Sequence, residues 1–325
     1  MSIHRFFTLV IVFSLLASIP TRAQTPPQRQ IAITIDDLPA ASANSMTGAQ
    51  INEMTAKLLG TLQKEKVPAV GFVNERGLYK LGEVDDRIKA LNQWLDDGFE
   101  LGNHTFGHTS LNQVTLQAWE DEVIRGETVT RILLAQHHMK MRYLRHPYLH
   151  TGRDMQTRRE AEAFLVSRGY RIAPVTLDAG DWMYAGVYED ARKRGDTALQ
   201  QQLVSSYFTR LGQVFDYYEK LSKDLFGYEP RQVLLLHANW LEADHIAELL
   251  DALRQRGYQF ISLGNALDDV AYSVPDEYVG EEGRVWIDHW AISRGRPQLN
   301  APAFPQWLID CANALPQPPP QDPVF

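Results

Sequence analysis

One three-residue phrase occurs three times in this chain: Asp97-Gly98-Phe99, Arg168-Gly169-Tyr170 and Arg256-Gly257-Tyr258. Each follows a stretch with helical periodicity and precedes an apolar run. A glycine just past a helix takes the left-handed conformation that other residues resist, and the aromatic then opens a strand. A chain that returns through a helix to each new strand builds parallel strands, because antiparallel neighbours need only a tight turn. Strands are expected at 31–35, 68–73, 99–101, 142–144, 170–176, 232–236 and 258–263. Helices are expected at 50–66, 84–97, 115–136, 154–167 and 242–256. Strand and helix alternate about seven times. The expected class is therefore α/β, a distorted (β/α) barrel of about seven parallel strands. An open doubly wound sheet is the alternative, and it would use the same strand ends.

The rhythm breaks between Trp182 and His237. There Leu199, Leu203, Tyr207, Leu211 and Phe215 repeat at helical spacing, and residues 188–230 read as a helical insertion packed on the barrel. After about residue 270 the chain becomes rich in aromatics and glycine, and 316–323 is proline-rich. At the other end Arg5 precedes an apolar run over 6–19, with Thr21-Arg22-Ala23 after it. That run is too short to span a bilayer and fits a secretory signal cleaved after Ala23. The expected organisation is a signal peptide at 1–23, a domain at 24–270 with its insertion, and an extension at 271–325 packed on that domain. The expected location is exported, periplasmic or secreted, without stable membrane insertion after cleavage.

The formal charge is −8, and the signal removes two arginines and no acid, so the exported form is more negative still. That disfavours nucleic acid as a partner. The single cysteine, Cys311, excludes an internal disulfide and reads as a small apolar residue. Any metal site must therefore use His, Asp or Glu.

Five strand-end clusters carry such residues. Asp36 and Asp37 supply two carboxylates. His104 and His108, four apart, point the same way if the backbone between them makes about one turn. Imidazoles with one carboxylate suit zinc and similar divalent ions, and three protein ligands leave open the position that a catalytic metal needs. Asp37 would be that third ligand, leaving Asp36 free as a base. Arg145 supplies a fixed cation, Asp181-Trp182 a carboxylate and a flat apolar wall, and His237 a second acid–base group. In a (β/α) barrel the C-terminal strand ends are where active sites form. The His-Glu-x-x-His metalloprotease pattern fails, because Thr105 follows His104. His146, His150, His245, His289 and the pair His137-His138 read as structural.

These clusters resemble the polysaccharide deacetylase family, the NodB-homology or carbohydrate esterase family 4 proteins. Thr34-Ile35-Asp36-Asp37 is similar to its Thr-Phe-Asp-Asp motif, and His104-Thr105-Phe106-Gly107-His108 to His-Ser/Thr-x-x-His. Arg145-His146-Pro147-Tyr148 resembles Arg-x-Pro-Tyr, Asp178-Ala179-Gly180-Asp181-Trp182 resembles Asp-x-x-Asp-Trp, and Leu235-Leu236-His237 resembles Leu-x-His. Leu38-Pro39 departs from the pattern, where a glycine often follows the aspartates. The resemblance implies that Asp37, His104 and His108 bind zinc or another divalent transition metal, with Asp36 as general base and His237 as general acid. It implies that Arg145 holds Asp36 and that Tyr148 offers its backbone N–H to an oxyanion. Trp182 and Leu235 would line the acetyl pocket, and Asp181 would orient His237 or pair with Arg145. The implied activity is removal of acetyl groups from an N-acetylated sugar of a polysaccharide or oligosaccharide. De-O-acetylation of a glycan such as xylan, or hydrolysis of a non-sugar linear amide, is the alternative, as is a non-catalytic glycan-binding role.

Overall fold

The computed structural model describes residues 29–296 and 299–316; the expected signal segment lies outside them, as does all but the first residue of the proline-rich end. The chain runs β1 (Arg29–Leu38), α1 (Gly48–Lys64), β2 (Ala69–Val73), α2 (Val84–Asp96), β3 (Glu100–Asn103), α3 (Leu116–Arg125) and α4 (Thr128–Gln136). It continues with β4 (Tyr143–Leu144), α5 (Met155–Ser167), β5 (Arg171–Ile172), β6 (Leu177–Asp178), α6 (Asp181–Arg194), α7 (Thr197–Phe226) and β7 (Gln232–His237). The last elements are α8 (Trp240–Gln255), β8 (Tyr258–Phe260), α9 (Leu263–Leu267), α10 (Trp286–Ser293) and α11 (Gln306–Asn313). Among the described residues no helix is long and apolar enough to cross a membrane.

Seven strands form one curled parallel sheet in the order β5-β4-β3-β2-β1-β7-β6, and β8 pairs with the first three residues of β1. The result is the expected (β/α) barrel, bent into a half-barrel with helices outside. β1 is its spine. Ile31, Ile33 and Ile35 are at most 1% exposed and join the large core beneath the helices, each contributing about 1.5–3 kcal/mol by burial. Ala32 points the other way, into a smaller cluster with Val70, Phe72 and Val233 that α9 plugs with Leu263, Ala266 and Leu267. Period-two alternation puts Thr34 and Asp36 on that same inner side. Gly98, Gly169 and Gly257 all sit at positive φ, 79° to 86°, as the repeated phrase requires.

Three expected elements differ. The helix expected at 115–136 is two helices, broken at Gly126. A Cβ there would meet the Phe106 nitrogen and the Thr105 carbonyl carbon at 2.6 Å, so the break lets the histidine loop lie against it. Glu75 then caps α4, accepting from the N–H groups of Val129 (3.0 Å) and Thr130 (2.7 Å). The strand expected at 170–176 is instead β5 and β6, parted by Pro174. Ala173 donates to Leu144 and Thr176 to Val233, so 173–176 crosses from one end of the sheet to the other and closes the curl by chain continuity. The strand expected at 258–263 stops at Phe260, because Ser262 caps α9. The helical pair also starts earlier than expected, at Asp181, which opens α6 and so lies in a helical first turn. In the extension α10 is almost wholly buried, while Cys311 is half-buried against the core.

Candidate active site

The top of the barrel interior holds a buried guanidinium. Arg145, fully buried, donates from Nε to the Ala173 carbonyl (2.7 Å) and from Nη2 to Thr34 Oγ1 (2.9 Å). Its Nη1 lies 3.2 and 3.3 Å from the two oxygens of Asp36, and the group stacks 4.7 Å over Phe72. A buried ion pair of this kind sets geometry more than stability. Burial pushes the Asp36 carboxyl up to about 6, against the pull of Arg145.

Asp37, His104 and His108 converge beside it. Asp37 Oδ1 is buried with no hydrogen-bond partner, and it lies 3.5 Å from Nε2 of both histidines. These spacings are long for hydrogen bonds. They match the roughly 3.4 Å between ligand atoms around a tetrahedral ion with bonds of about 2.1 Å. His104 Nδ1 is 2.8 Å from the Arg145 carbonyl. A proton on Nδ1 serves that bond and leaves the Nε2 lone pair facing the cluster. Burial lowers the pKa of both rings, which keeps them neutral and able to ligate. The donor set therefore fits a divalent metal.

Backbone strain concentrates here. Asp37, Thr105, His108, Tyr148 and Leu149 all have φ between 56° and 64°, a conformation that side-chain-bearing residues hold only when their surroundings impose it. Side chains impose it on the histidine loop. Asn103 Oδ1 accepts from Thr105 N–H (2.7 Å), Asn74 Nδ2 donates to the His104 carbonyl (2.5 Å), and Glu122 accepts from Gly107 N–H (2.7 Å).

His237 ends β7, directly beside Asp36 in the β1–β7 register. Asp181 Oδ1 is 2.9 Å from its Nδ1, and Oδ2 accepts from the His237 N–H (2.9 Å) and from Asn239 Nδ2 (2.8 Å). Of the two partners considered for Asp181, His237 is the one it meets; the N–H groups of Arg145 go to Asp36, Thr34 and Ala173. Burial alone would lower the His237 pKa. The charge and hydrogen bond of Asp181 outweigh it, with help from Asp37 and Asp36, and push it up to about 10. Behind Asp181, burial and then the Asp181 charge push Glu242 up to about 8, and Glu242 accepts from the Tyr207 hydroxyl at 2.7 Å.

A cavity of about 380 Å³ joins these groups, with Trp182, Leu235 and Tyr148 among its walls. Every residue singled out for the site except Arg145 and Asp181 lines it, and those two lie directly behind. Four further wall residues, Leu149 among them, were not given roles by sequence. Asp178 accepts from Gly180 N–H (2.7 Å) and lies 3.4 Å from Trp182 Nε1; its place in the motif was the available signal. His146, read as structural, borders the cavity yet is buried and stacked on Trp119. Gly283 comes from the extension, and nothing in its sequence context points there.

The family model for polysaccharide deacetylase matches residues 23–164. A chitin deacetylase from Colletotrichum lindemuthianum is 24% identical over 241 residues, 74% of this chain and 79% of that protein. A peptidoglycan-N-acetylglucosamine deacetylase from Bacillus cereus is 23% identical over 153 residues, 47% of this chain. The match spans 46% of that relative, about half its length. Among solved structures, a family 4 carbohydrate esterase pseudoenzyme from Bacillus anthracis is 18% identical with a TM-score of 0.48, covering 75% of this chain and 67% of that one. A peptidoglycan deacetylase from Bacillus subtilis is 20% identical with a TM-score of 0.46, covering 74% and 91%.

Proposed function

We propose, from the match of residues 23–164 to the polysaccharide deacetylase family model, a metal-dependent hydrolase that removes acetyl groups from an N-acetylated sugar of a polysaccharide or oligosaccharide. Chitin-type and peptidoglycan-type glycans are the candidate substrates, on the strength of the two relatives' names. The observation that carries the reading is the single focus shared by Asp37 Oδ1 and the two histidine Nε2 atoms, beside which Asp36, 3.6 Å from His104 Nε2, is paired with Arg145.

Asp37, His104 and His108 hold the cation, for which zinc is the first candidate. When bound, it supplies a Lewis acid for the acetyl carbonyl and lowers the pKa of a coordinated water. The chain's own residues do the rest. Asp36, ionised and oriented by Arg145, takes the proton from the attacking water. His237, kept protonated by Asp181, gives a proton to the amine that leaves, which is otherwise a poor leaving group. The Tyr148 N–H donates to the oxygen on which negative charge develops. Trp182 and Leu235 receive the acetyl methyl. The apolar run over 6–19 serves as an export signal in this reading.

The test is acetate release by the metal-replete protein from N-acetylglucosamine oligomers and, in parallel, from O-acetylated xylan. Release from the first that chelator abolishes and zinc restores is the expected result. Release from the second alone turns the assignment to an esterase, and release from neither overturns it.

A further inference from the structure

The C-terminal extension lines the cavity at Gly283 and backs one of its walls at Trp182. Gly283 forms part of its wall, and a Cβ there would come within 1.6 Å of the Tyr148 carbonyl oxygen. Backbone therefore lies directly on backbone at the rim. The strap that carries Gly283 is fastened on both sides. Asn112 Nδ2 donates to the carbonyls of Gly280 (2.8 Å) and Glu281 (3.3 Å), and the Tyr278 hydroxyl donates to the Glu282 carbonyl (2.7 Å). Arg158 donates to the Tyr278 carbonyl and pairs with Asp276, both at 2.7 Å. Beyond the strap the Trp286 N–H donates to the Val175 carbonyl at 2.6 Å.

The second contact of the extension is with Trp182. Phe304 lies edge-on to its ring at 5.4 Å and occupies the space where Gly180 lacks a side chain; a Cβ there would meet Phe304 at 2.4 Å. Arg210 stacks on Phe304 at 3.7 Å while donating to the carbonyls of Ala179 and Pro302. So many backbone anchors make a fixed wall, not a loose flap.

A second cavity of about 460 Å³ shares Asp37, His108 and Tyr148 with the first and extends to Ser42, Asn44 and Arg76. Asn44 and Ser45 bring an amide and a hydroxyl to its wall, while the Ser42 hydroxyl is bonded to Glu189. The groove thus opens from the metal ligands into a second cavity, and the strap closes part of the first where Gly283 meets Tyr148. A polymer threading a groove needs an exit on both sides of the reacting unit. A cavity of 380 Å³ sits low in the roughly 300–1,000 Å³ range of small-ligand sites.

We propose that the strap at 276–285 ends the substrate groove, so that the protein deacetylates a terminal unit of a glycan or a short acetylated oligosaccharide, and not units inside a long chain. The proposal rests on the deacetylase reading above. Its test is to incubate the metal-replete protein with N-acetylglucosamine oligomers of increasing length and map the free amines by tandem mass spectrometry. The expected map has amines on one end unit at every length, and amines on internal units overturn the proposal. The double variant Asn112→Asp, Arg158→Met keeps the acceptor that holds Gly152 N–H and removes the side-chain donors to Gly280, Glu281 and Tyr278 and the cation paired with Asp276. It is expected to gain internal amines that the parent lacks, and an unchanged map in the folded variant contradicts the strap as the wall. Absence of acetate from every N- and O-acetylated oligomer sinks the deacetylase reading itself, which internal amines do not.

Discussion

Protonation at two residues divides the chemistry. In the proposed mechanism Asp36 serves as a base only when ionised, and burial raises its pKa to about 6 against the pull of Arg145. His237, the proposed acid, serves only when protonated, and Asp181 raises its pKa to about 10. Turnover should rise with pH as Asp36 loses its proton and fall as His237 loses its own. A bound cation favours ionised Asp36, so the acid limb lies at or below about 6. Asp181→Asn withdraws the charge that raises His237, and the alkaline limb of the profile should move to lower pH; an unmoved limb contradicts the pairing. His237→Ala should cost about 10²–10⁴-fold on an amide and much less on an activated ester, whose leaving group needs little protonation. Equal losses on both substrates count against His237 as the acid.

At the scale of elements, the site depends on where helices and strands break. Gly126 ends α3 with no room for a methyl group beside the 105–106 backbone. Gly126→Ala should cost about 1–3 kcal/mol by overpacking and weaken metal binding, because the loop that carries His108 must shift. Urea unfolding and metal titration check both, and unchanged values contradict the packing argument. Most strands and the ends of α2, α5 and α8 were legible in the sequence, since Gly98, Gly169 and Gly257 mark those ends by a local rule. The break at Gly126 was not, because the close approach of Phe106 and Thr105 that demands it comes from twenty residues away. The parting of β5 from β6 had a local sign in Pro174, but the crossing it makes depends on partners Leu144 and Val233 in distant strands. In the same way the motif residues announced Asp36, Asp37, His104, His108 and His237 as candidates, while Gly283 reaches the cavity through tertiary packing alone.

Across the whole molecule, buried ionisable groups tie stability to pH. His146 is buried against Trp119, and burial, with Arg158 and Arg145 nearby, pushes its pKa down to about 3. The unfolded chain binds that proton near 6.5. The stability that neutral His146 represents is therefore complete above about 6.5 and is lost as pH falls toward 3. His146→Phe should flatten the acid side of the stability curve measured by urea unfolding at successive pH values, and an unaltered slope contradicts the assignment. The most direct test of the account measures metal content and acetate release side by side in the native protein and in Asp36→Asn. The account predicts one equivalent of metal in each, with release from the native protein and at least about a 10²-fold loss in the variant. A native protein that stays metal-free under replete conditions, or an Asp36→Asn variant that remains active, contradicts it.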